Sequence, residues 1–130
     1  MGLDIHILRK EIIPDPELAK FELDDVDHGV GYFRKFNAFF NWVNTHVNCV
    51  ENCEEILLTR EHLETLKTTL QNLTRENCHQ LLPTQSGFFF GSLEYDDYYW
   101  QDVNELRSLL DKLLTENNFE SEHIFFYAWW

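Results

Sequence analysis

Half of the fourteen residues from Gly87 to Trp100 carry aromatic rings, and no surface loop keeps so many rings in water. The rest of the chain must supply walls around them. Phe88-Phe89-Phe90, set between Gly87 and Gly91, reads as a short buried strand. The period then changes at Ser92 or Asp96, either of which can cap a helix by accepting a bond from a free N–H of the first turn. This junction also gathers Glu94, Asp96 and Asp97 beside tyrosines, which makes it the first place to look for a site.

Other segments fall into order around it. Leu3-Asp4-Ile5-His6-Ile7-Leu8 alternates apolar and polar residues, the period of a half-buried strand, and belongs near the centre of a sheet. Ile12-Ile13-Pro14-Asp15-Pro16 breaks the chain, and Phe21-Glu22-Leu23 suits a short edge strand. The acidic stretch from Glu22 to His28 closes on Gly29-Val30-Gly31, read as a turn with positive φ at the end of a mobile loop.

From Tyr32 to Val47 the apolar residues Phe36, Phe39, Phe40, Val43 and Val47 recur at helical spacing, while Arg34, Asn37 and Asn41 line one polar edge of the same expected helix. Glu55-Ile56-Leu57-Leu58 is a strand, and Thr59 caps a helix expected from Arg60 to Glu76. Asp96 to Glu116 forms the longest helix, with Tyr99, Val103, Leu106, Leu110 and Leu113 on its core stripe. His123 to Trp130 is a last, ring-rich strand paired into the sheet. The fold class is α+β: a single domain over residues 1–130, with a small mixed sheet of four to five strands and three helices packed on it.

The formal charge of -13, with ten scattered basic residues, excludes direct binding to nucleic acid and to anionic lipid. Three cysteines, with no signal peptide and no apolar run of membrane-spanning length, point to a reducing, cytoplasmic setting. There the sequon Asn72-Leu73-Thr74 has no meaning. Cys49, Cys53 and Cys78 with His46 and His79 offer nitrogen and sulfur ligands, but the Cys-x3-Cys spacing is less diagnostic of zinc than Cys-x2-Cys, so no metal and no cofactor is expected. Glycine loops of the phosphate-gripping kind and a nucleophile elbow are both absent, and acids in a first helical turn are explained by the helix dipole before catalysis is invoked.

Met1-Gly2-Leu3-Asp4-Ile5, then Gly31-Tyr32-Phe33-Arg34-Lys35-Phe36-Asn37-Ala38 with Asn41-Trp42-Val43, and the block from Leu82 to Asp96 with Tyr98-Tyr99 together resemble a family of small bacteriophage and prophage accessory proteins. The resemblance spans nearly the whole chain, and its motifs mark the family without carrying an agreed chemistry. Phe33 stands where that pattern has tryptophan and Phe40 where it has histidine, and of the cysteines only Cys53 matches it. The resemblance implies a phage gene expressed in a bacterial cytoplasm, with counter-defence, as in inhibitors of CRISPR nucleases, among the expected roles.

The function expected first is therefore non-enzymatic host takeover. An acidic, nucleic-acid-mimicking surface at Asp24, Asp25, Asp27, Glu94, Asp96 and Asp97 would bind a basic host protein. The alternative is a polar and aromatic mouth of Arg34, Lys35, Asn37, Asn41, Ser92 and Tyr95 that sequesters a nucleotide-like small molecule, or an enzyme using the carboxylates of that mouth. Unburied rings at Trp129 and Trp130 would imply a homodimer.

Overall fold

The computed structural model describes residues 2–11, 29–87 and 90–130. Its elements in chain order are β1 (Asp4–Glu11), β2 (Gly29–Arg34), α1 (Asn37–His46), β3 (Glu55–Leu58), α2 (Arg60–Gln71), the single turn α3 (Cys78–Leu81), α4 (Asp97–Glu116) and β4 (Glu122–Trp129). The fold is α+β. The four strands lie in the order β2-β1-β4-β3, and all three pairings are antiparallel.

β1 and β4 form the centre of the sheet, in register along their full length from Asp4 opposite Trp129 to Glu11 opposite Glu122. Alternation decides which face is covered. Ile5, Ile7, Phe33, Ile56, Leu58, Ile124, Phe126 and Ala128 all point to one side and are buried. The helices close that side. Phe39 of α1 sets its ring edge-on to Phe126 at 5.1 Å, and the α4 stripe Tyr99, Val103, Leu106, Leu110 and Leu113 is buried throughout.

The two longest helices start at side-chain caps. Thr59 accepts a bond from His62 N at 3.2 Å while His62 Nδ1 accepts one from Thr59 N at 3.1 Å, a reciprocal capping box for α2. Asp96 caps α4 by accepting from Tyr99 N at 3.1 Å. Across the pair, Arg107 of α4 donates to the carbonyl of Leu70 at 2.6 Å, so a cation sits on the last turn of α2, at the negative end of its dipole.

Several sequence expectations are corrected. The helix expected from Tyr32 begins only at Asn37, because residues 29–34 take backbone partners along the edge of β1, from Asp4 opposite Arg34 to Ile7 opposite Gly31. Lys35, at φ 60, then turns the chain, with its N–H donating to Leu3 O at 2.6 Å. Gly29 and Gly31 are thus strand residues, not a turn. A Cβ at Gly31 would lie 2.6 Å from Leu109 Cδ2, so the end of that leucine side chain would have to shift to admit one.

The second helix stops at Gln71 and not Glu76, since Thr74 and Asn77 bond each other's backbone N–H and offer the chain an alternative to helix. Phe90 is buried but belongs to no strand, and Phe88 and Phe89 lie outside the described residues. So does the expected edge strand at Phe21-Glu22-Leu23. Among the described residues no helix is long and apolar enough to cross a membrane.

Candidate functional site

The loop residues 82–87 and 90–96 are fastened to α1 chiefly by one side chain. Asn37, 2% exposed, donates through Nδ2 to the carbonyls of Phe90 (3.0 Å) and Ser92 (2.9 Å), and its Oδ1 accepts from Gln85 N (3.0 Å). Asn41 adds a bond to Pro83 O at 3.1 Å. Within the loop Thr84 Oγ1 donates to Leu93 O at 2.9 Å and Thr84 N donates to Tyr95 Oη at 3.2 Å. Beneath it Tyr99 donates to Leu82 O at 2.8 Å, and burial pushes that phenol far above its ordinary pKa. Phe90 anchors the loop's aromatic end against Phe40 at 4.8 Å and Trp130 at 5.7 Å.

Between this loop, the turn at Lys35 and the first turns of α4 lies a cleft of about 60 Å³, lined by Lys35, Asn37, Thr84, Ser92, Glu94, Asp96, Tyr98 and Asp102 among others. Asp102 sits half-buried in it, and its carboxyl is pushed up to about 6, first by burial and then by the negative charges of Glu105 and Asp96. The positions Tyr98, Asp102 and Glu105 share one face of α4 by their spacing of four and three. Among the described residues Glu94, Asp96, Asp102 and Glu105 have no salt bridge, whereas Asp97 approaches Arg75 Nη2 at 3.8 Å with both side chains largely in water.

The predicted residues therefore separate. Lys35, Asn37, Ser92, Glu94 and Asp96 do meet at one cleft, and Asp97 lies beside it at the head of α4. Arg34 does not meet them: it stands at the end of β2, opposite Asp4, and not on the helix edge expected for it. Asn37, Asn41 and Tyr95 are spent on the loop's own backbone. A volume of about 60 Å³ is also well short of the roughly 300–1,000 Å³ of small-molecule sites. Asp24, Asp25 and Asp27 lie outside the described residues. Sequence reasoning missed Asp102 and Glu105, although their distance from Tyr98 places them on the same helical face.

The metal-ligand candidates are dispersed. Cys49 and Cys53 are exposed and Cys78 is buried, His46 stacks on Trp42 at 5.2 Å, and no group of three or more His, Cys, Asp or Glu among the described residues could hold an ion. Comparison with protein families, with curated protein sequences and with solved structures finds no match for the chain.

Proposed function

We propose that this chain is a non-enzymatic docking protein whose acidic surface, from Glu94 through Asp96 and Asp97 to Asp102 and Glu105, binds a basic partner. The observation that carries the reading is the crowding of Asp96, Asp102 and Glu105. Their mutual repulsion helps hold Asp102's proton on to about pH 6, and no lysine or arginine salt bridge relieves it among the described residues. A cation brought by a partner would gain that unrelieved potential on contact. The overall charge of -13 steers the same class of partner from a distance.

In the setting that the family resemblance implies, the partner is a host protein with a nucleic-acid-binding surface, and occupying that surface is how a phage accessory protein would block host defence. Capture from bacterial lysate tests this, using the wild-type chain beside a triple variant Glu94→Lys, Asp97→Lys, Glu105→Lys. The expected result is a basic protein retained at low salt, released as salt rises and lost from the variant. A partner held equally by both, or indifferent to salt, overturns the reading.

A further inference from the structure

We propose that the open face of the β-sheet is a self-association surface, on which a second copy of this chain packs sheet to sheet across a two-fold axis. Alternation sends Tyr32 of β2, His6 and Leu8 of β1, Phe125, Tyr127 and Trp129 of β4 and Leu57 of β3 to the face opposite the helices. Of the five large hydrophobic residues exposed among those described, three are here: Tyr32 at 51%, Leu57 at 39% and Trp129 at 55%. The register aligns them in cross-strand rows. Tyr32, His6 and Tyr127 are consecutive neighbours, with ring centroids 5.0 and 6.2 Å apart, and Leu8, Phe125 and Leu57 form the next row.

Charge selects the occupant. Among the described residues the ionic side chains of this face are Asp4, Lys10, Arg34 and Glu55, two acids and two bases, so the described strands present a neutral face on a chain of net charge -13. Lys10 pairs with Glu55 at 2.5 Å, and Asp4 accepts the Tyr32 hydroxyl at 2.5 Å, a bond that raises the Tyr32 pKa. A basic partner gains nothing from a neutral face, and a polyanion is repelled by the remainder of the molecule. A second copy meets an equally neutral, ring-rich surface, while the two-fold turns each acidic α4 outward.

Sheets packed face to face lie about 10 Å apart, which suits interdigitated rings. The four strands offer on the order of 400 Å² of flat sheet per copy, and the relief of the side chains brings this toward the roughly 600 Å² per partner of the smallest specific interfaces. The association is accordingly reversible.

Salt separates this surface from the acidic one. Two bodies of like net charge repel, so screening strengthens self-association, whereas it weakens the docking proposed above. Sedimentation equilibrium of the full chain, from micromolar to millimolar protein at about 0.05 and about 0.5 M salt, reads both effects. The expected result is a monomer–dimer equilibrium that tightens at the higher salt. Trp129→Glu and Leu57→Lys each weaken it tenfold or more, and Glu105→Lys on α4 leaves the dimer in place. Circular dichroism identifies which variants fold, and either one suffices. A chain that stays monomeric at millimolar concentration, or a dimer untouched by a folded face variant, overturns the proposal.

Discussion

Asp102 shows how one residue's surroundings set its chemistry. Its carboxyl ordinarily titrates near 3.8, and in the folded chain it does so at about 6. Between those values the unfolded chain has released the proton that the folded chain still holds, so this group's contribution makes stability fall as pH rises from about 4 to about 6 and remain lower above that. A two-unit shift corresponds to about 3 kcal/mol, which the half-exposure of the side chain reduces to about 1 kcal/mol. Asp102→Asn is expected to stabilise the protein by about that amount at pH 7 and to have no effect below pH ~4, as read from urea midpoints across the pH range. Asp102 and Glu105 are not legible as site residues in the sequence because they flank the apolar stripe of α4. An acid flanking such a stripe reads as solvated surface until a neighbouring loop is known to lie over it.

At the scale of the element, α1 and the loop it holds depend on Asn37. Polar residues at Asn37 and Asn41 look alike in sequence, yet the first is buried with three bonds to the loop backbone and the second has one. Removing the amide strands two carbonyls and an N–H, so Asn37→Ala is expected to cost about 2–4 kcal/mol in chemical denaturation. Asn37→Asp should cost more at neutral pH, because a carboxylate would then face the carbonyls of Phe90 and Ser92, and part of the loss should return in acid as the carboxyl gains a proton to donate.

The stretch just before α1 shows why boundaries are harder to read than elements. Tyr32 and Phe33 fit a helical stripe and a strand equally well, and the edge of β1, unknowable from local pattern, decides in favour of the strand. Period alone sufficed where one face was long and continuous, as in α4 and β4. It failed at residues 72–77, where side chains bond their own backbone.

For the whole molecule, two faces of different character emerge: acids at the head of α4, and a neutral, ring-rich sheet on the side away from the helices. The charge of the chain was legible from composition, but the balance of two acids and two bases among the described residues of the sheet face was not. That depends on the register that places Lys10 beside Glu55 and Asp4 beside Tyr32. The class of fold was legible too, since alternating and helical periods follow one another along the chain. The strand order needed the structure, because nothing local says that the last strand inserts beside the first.

That insertion has a consequence for the birth of the protein. The sheet's two central strands lie far apart in sequence, with Asp4 facing Trp129, so on the ribosome β1 must wait until every residue between Glu11 and Glu122 has been made before its principal neighbour follows. Until β4 emerges, Ile5 and Ile7 have no Phe126 or Ala128 beside them, and the nascent chain displays sticky surface to chaperones. Such distant pairing also slows refolding, placing it in the range of milliseconds to seconds expected for non-local topologies, and stopped-flow dilution from urea should find this rate and not a microsecond phase.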